Sequence, residues 1–150
     1  MKATITESFP GATTATLFEQ IATLDRYPAW MRLVHRVAPM PPHDKGPAWW
    51  VELRARVGPF TRSKQLRMVR TQFVDDRLVR FDRVEDDERD HAEWILMAEV
   101  AAADQGAILT MHLEYTGQLW SMNVLGRILD EEVRRSTTVL AQLLSDEPRR

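Results

Sequence analysis

From residue 49 to residue 115 apolar and polar side chains alternate in blocks separated by turn residues. Trp49, Val51, Leu53, Ala55 and Val57 alternate with Trp50, Glu52, Arg54 and Arg56. That period of two predicts a strand with one buried face. Gly58-Pro59 turns the chain, and residues 60–73 return with Leu66 and Met68 on one parity. After Asp75-Asp76, residues 77–85 carry Val79 and Phe81 in phase, and the acidic run from Glu85 to Glu88 reads as a loop. Residues 91–103 place Trp94, Leu96, Ala98 and Val100 on one face, with Glu93 and Glu99 on the other. Asp104-Gln105-Gly106 is a tight turn. Residues 107–117 set Leu109, Met111, Leu113 and Tyr115 against Thr110, His112 and Glu114.

The flanking segments have other periods. Ala3 and Ile5 alternate with Thr4 and Thr6 in a short strand that Pro10-Gly11 stops. Ala15, Leu17, Phe18, Ile21, Ala22 and Leu24 recur at helical spacing, with Thr13 or Thr14 as the cap. Asp25 caps a second short turn over residues 26–31, with Pro28 in its first turn. Residues 32–38 read as a strand, and residues 39–47 as a loop too rich in proline for a sheet interior. At the far end, Met122, Leu125, Ile128, Leu129, Val133, Ser136, Leu140, Leu143 and Leu144 share one helical face, and Asp130, Glu131, Arg134, Arg135 and Gln142 the other. Residues 119–145 are therefore one amphipathic helix of about seven turns, roughly 40 Å long.

The element order is strand, two short helices, six strands, long helix. Short turns between consecutive strands predict an antiparallel meander, and one apolar face predicts helices on one side only. The expected fold class is α+β: a curved antiparallel sheet of about seven strands wrapped around the C-terminal helix. The 150 residues read as a single domain without internal repeats, and residues 146–150 as a frayed tail.

On this element order, and on the stretches LFEQIATLDRYPAWM, RLVHRVAPM, GPFTRSKQLRMVR and LEYTGQLW, the chain resembles the START/SRPBCC superfamily. Within it the likeness is to the polyketide cyclase/dehydrase-like branch. These stretches mark a fold and are not catalytic motifs. The resemblance implies the helix-grip fold, with a cavity between sheet and helix that holds a lipid, sterol, quinone or polyketide. Some members are cyclases or dehydratases, and some bind ribosomes or chaperones.

Composition narrows the function. A net charge of −2 and a pI near 6.1 argue against nucleic acid or an anionic membrane surface as the partner. Cysteine is absent, which removes thiolate chemistry and suits a reducing, cytoplasmic setting. No apolar run nears the roughly 20 residues needed to span a bilayer, and the first residues lack the apolar stretch of a secretory signal. His35, His43, His91 and His112 are scattered without metal-ligand spacing. No nucleophile elbow, phosphate loop or dinucleotide fingerprint occurs. No metal and no cofactor is expected.

The expected ligand-binding set is the inward stripe. From the strands it takes Trp49, Val51, Leu53, Leu66, Met68, Phe81, Trp94, Leu96, Leu109, Met111, Leu113 and Tyr115; the helix adds Leu125, Ile128, Leu129 and Val133. Periodicity alone fits a solid core equally well; the resemblance is what implies a cavity. The polar residues on that parity are the candidate anchors. They are Tyr115, Arg62 and Lys64 near the Gly58-Pro59 hairpin, and Arg83. No pair of carboxylates falls on inward parity, so acid–base catalysis has thin support. Trp50, if exposed on the outer face, marks a homodimer patch, and Trp30 and Trp120 close the short helices over the interior. The first functional reading is a carrier or sensor of a hydrophobic small molecule. The second is a cyclase or dehydratase, with Tyr115 and Arg62 or Arg83 polarising a carbonyl. The third is a protein-interaction module. Interior polarity separates the first two.

Overall fold

A computed structural model describes residues 2–116 and 122–146. The elements are β1 (Lys2–Pro10), α1 (Thr14–Ile21), a 3-10 helix (Leu24–Ala29), β2 (Val34–His43), β3 (Gly46–Val57), β4 (Phe60–Val74), β5 (Leu78–Arg83), β6 (Trp94–Ala103), β7 (Gly106–Tyr115) and α2 (Met122–Asp146). The strands form one seven-stranded sheet in the order β1-β7-β6-β5-β4-β3-β2. Every neighbouring pair is antiparallel. This is the helix-grip layout that the element order predicts. The meander accounts for all but one step: α1 and the 3-10 helix carry the chain from one edge strand, β1, to the other, β2. Gly117, Trp120 and residues 147–150 lie outside the described residues.

β2 departs from the sequence expectation. It runs through Pro39, Pro41 and Pro42, whose abundance predicts a loop from the sequence. An edge strand leaves one row of backbone groups unpaired, so proline costs no ladder bond there. The pairing with β3 shifts register between Met40 and His43, where the strand ends. Gly58, in the β3–β4 turn, has φ +60, a conformation glycine adopts without steric cost. Gly106 starts β7 so close to β1 that a Cβ there would drive into the Phe9 carbonyl.

α1 begins in a capping box. Thr16 N donates to Thr13 Oγ1 at 3.0 Å and Thr13 N donates to Thr16 Oγ1 at 3.2 Å. The following turn is 3-10, not α, and Asp25 lies inside it rather than capping it. The Asp25 carboxylate instead accepts from Trp49 Nε1 at 3.0 Å. Around this turn the core is solid. Tyr27 packs on Trp30 and Phe81 at ring-centroid distances of 4.9 and 6.1 Å, and Phe81 on Trp49 at 5.7 Å. The Tyr27 hydroxyl donates to the Ile21 carbonyl at 3.0 Å, and burial pushes that phenol's pKa up. Arg70 donates to the Ala22 carbonyl at 2.7 Å, closing the end of α1. α1 packs on β6 and β7, while α2 reaches β1 and β3.

Candidate functional site

Where the plug around Tyr27 ends, the concave face is not filled. A cavity of about 60 Å³ is lined by Ala3 and Ile5 of β1, Leu24, Met31, Leu33 and Val34 of the crossing segment, Val51 and Leu53 of β3, Leu66 and Met68 of β4, Trp94 and Leu96 of β6, and Met111 and Leu113 of β7. The remaining described lining residue, Glu132 of α2, is the one with an ionisable side chain. Cross-strand register explains the grouping: Val51 faces Leu66, Leu96 faces Leu113, and Ala3 faces Leu113. Each pair lands on the same face because antiparallel partners share a side of the pleat.

Leu33 and Glu132 border a second space, an open cleft of about 920 Å³ lined also by Arg32, His35, Arg54, Ala55, Arg56, Thr61, Glu131 and Arg135. It lies beyond the start of β2. There β3 continues without its edge partner, and the last link is Arg54 N donating to the Leu33 carbonyl at 2.9 Å. Glu132 stands between cavity and cleft and accepts from Arg32 N at 2.6 Å. Burial pushes the Glu132 carboxyl up in pKa, against the lowering pull of the Arg32 and Leu33 backbone N–H groups and the Arg32 charge.

The sign of that shift gives a pH prediction. A carboxyl raised in the folded state keeps its proton longer there than in the unfolded chain. Its contribution to stability is therefore full below the ordinary glutamate pKa and falls as pH rises through the raised value. Glu132→Gln keeps an acceptor for Arg32 N and lacks the titration. Urea unfolding from about pH 4 to about pH 7 is expected to show the variant gaining on the wild type as pH rises. A constant difference would contradict a shift caused by burial.

Of the residues the sequence singles out, Val51, Leu53, Leu66, Met68, Trp94, Leu96, Met111 and Leu113 meet at the cavity. Trp49 and Phe81 belong instead to the solid plug. Leu109 borders a separate void of about 20 Å³ beside Ser136 and Leu140. Tyr115 is buried against the Trp94 ring at 4.3 Å, outside the cavity lining. Arg62 is exposed and Lys64 half-buried; they oppose Ala55 and Leu53, and neither lines the cavity. Arg83 has the inward parity expected of it and a side chain only 5% exposed. Its guanidinium donates to Glu85 Oε1 at 2.9 Å and to the Ala92 carbonyl at 3.2 Å. The side chains of Leu125, Ile128, Leu129 and Val133 lie outside the described residues. Trp50 is half-buried. Trp30 is buried and donates to the Gln20 carbonyl at 3.2 Å.

Sequence reasoning missed Glu132, the β1 residues Ala3 and Ile5, and Leu24, Met31, Leu33 and Val34 as lining. A signal for Glu132 was present: Ile128, Glu132, Ser136 and Leu140 form one i, i+4 row, and Ser136 and Leu140 are buried. An acid on that row belongs on the apolar side. Among the described residues no group of three histidine, cysteine or acidic side chains is placed to hold a metal. No described helix is long and apolar enough to cross a membrane.

No protein-family model matches the sequence, and no curated protein does. Solved structures do match. A protein of Chromobacterium violaceum superposes with a TM-score of 0.68 at 14% identity, covering 97% of this chain and 98% of its own. The di-domain ARO/CYC StfQ from the steffimycin biosynthetic pathway matches at 0.69 and 10% identity, covering 97% of this chain and 52% of StfQ. A START superfamily protein from Mycobacterium smegmatis matches at 0.65 and 11% identity, covering 97% and 96%. At these identities the likeness is one of fold, and the fold of this chain is the helix grip that these structures share.

Proposed function

We propose that this chain, with the START/SRPBCC helix grip as its premise, binds a hydrophobic small molecule between sheet and α2 and acts as its carrier or sensor. The observation that carries the reading is the lining: among the described residues, every side chain around the cavity is apolar except Glu132 and the indole N–H of Trp94. An enzyme of this fold needs convergent polar groups to polarise its substrate, whereas a carrier needs only a dry, shaped wall. At about 60 Å³ the cavity has room for no more than a few waters. A lipid-, quinone- or polyketide-like ligand therefore enters by repacking the wall. Met31, Met68 and Met111 supply unbranched, adaptable side chains for that.

The test is native mass spectrometry of protein purified without added ligand, followed by organic extraction and titration with an apolar dye and a lipid panel. A co-purified mass, or saturable binding of a panel member, is expected. Failure of both would overturn the carrier reading in favour of a protein-interaction module.

A cyclase- or dehydratase-type reaction is the second reading, and Glu132 is what favours it. A carboxyl whose pKa burial has raised, at the edge of an apolar cavity, is suited to general acid–base work. Arg62 and Arg83 do not join it.

A further inference from the structure

We infer that cavity and cleft together take an amphiphile with an anionic head, a carboxylate or phosphate, its chain among the apolar residues and its head among Arg54, Arg56 and Arg135. The inference deepens the apolar-ligand reading and rests on it. Its observation is adjacency: Leu33 and Glu132 border both spaces, so a molecule that displaces them passes from the cavity into the cleft.

The cleft is basic in a chain that is acidic overall. Among the described residues lining it, Arg32, Arg54, Arg56 and Arg135 stand against Glu131 and Glu132. The register leaves the β3 arginines without an acid directly across the β3–β4 pair. Arg54 and Arg56 oppose Ser63 and Thr61, which carry no charge, and β2, which begins at Val34 opposite Leu53, pairs with neither. Arg54 is in ion-pair reach of Glu52 at 3.8 Å, so its charge is partly compensated while its guanidinium N–H groups are not held by that carboxylate in a hydrogen bond. Among the described residues no ion pair neutralises Arg56. The Glu132 carboxylate accepts from the Arg32 backbone and so leaves the guanidinium groups to a ligand. Arginine forks suit planar or tetrahedral oxyanions, while a neutral alcohol or sterol head gains nothing from them.

The test titrates decanoate, decyl phosphate and decanol into the wild type and into Arg54→Gln/Arg56→Gln, followed by tryptophan fluorescence. Both arginines are solvent-exposed, so the double variant keeps the fold. At low salt at least one anion is expected to bind about tenfold more tightly than decanol. That advantage shrinks as salt rises and disappears in the double variant, whose decanol affinity is unchanged. Whichever anion gains identifies the head. Equal affinities for anions and alcohol, or an advantage that survives in the double variant, would overturn the anionic head and leave the cavity reading standing. Loss of binding for all three in the wild type would bring down the cavity reading itself.

Discussion

Phe81→Ala is expected to cost about 3–5 kcal/mol of folding stability, a large part of what a domain of this size has. Phe81 is fully buried. It sits at the point where the Tyr27 and Trp49 rings meet, edge-on at 6.1 and 5.7 Å, and pairs across strands with Leu96 and Arg70. Removing the ring opens a hole that rigid aromatic neighbours cannot close. Tyr27 is tied to the Ile21 carbonyl and Trp49 to Asp25, so collapse would break buried hydrogen bonds as well. Phe60→Ala is the control. Phe60 is 64% exposed at the start of β4, and its loss is expected to stay within about 0.5 kcal/mol. Urea unfolding of the pair reads the contrast. A Phe81→Ala cost below about 1 kcal/mol would show that this end of the interior is as yielding as the cavity end. Adaptation to a ligand would then no longer be confined to the methionine-lined side.

The strands were legible because the period of two survives wherever one face of a sheet is buried. β3, β6 and β7 stand where alternation places them, to within a few residues at their ends. β2 was misread because its prolines are forbidden only in a central strand, and nothing local says that residues 34–43 form an edge; that follows from the chain crossing between β1 and β2. The site was half legible for a related reason. Parity assigns a residue to a face and is silent on what lies above it. Trp49 and Val51 share a face, yet the 3-10 turn seals Trp49 and leaves Val51 at the cavity. Arg83 has the right parity and a guanidinium already committed to Glu85 and Ala92. Arg54 and Arg56 have the outward parity, and they reach the site only because β2 stops short of them. Glu132 was overlooked because it was assigned to neither face of the helix, whereas its i, i+4 row with Ser136 and Leu140 turns the acid inward.

Filling the cavity separates ligand binding from stability. Ala3 lines it from β1, opposite Leu113. Ala3→Leu adds three carbons to a space of about 60 Å³. Filling a void of that size is expected to raise stability by about 1 kcal/mol, since residual cavity volume costs about 24 cal/mol per Å³. The same carbons occupy the room the proposed ligand chain needs. Decanol affinity is therefore expected to fall by about tenfold or more, the effect of displacing roughly two methylenes from an apolar site. Titration with decanol beside thermal unfolding reads both quantities. Unchanged affinity would place the ligand elsewhere on the protein. Lost affinity together with a lower Tm would mean overpacking, with the wall too stiff to yield, and would contradict the adaptability assigned to Met31, Met68 and Met111. Ala3 does not border the cleft, so in this variant any remaining preference for decanoate over decanol comes from the arginines alone. The size of that remainder measures how much of the binding belongs to the head and how much to the chain.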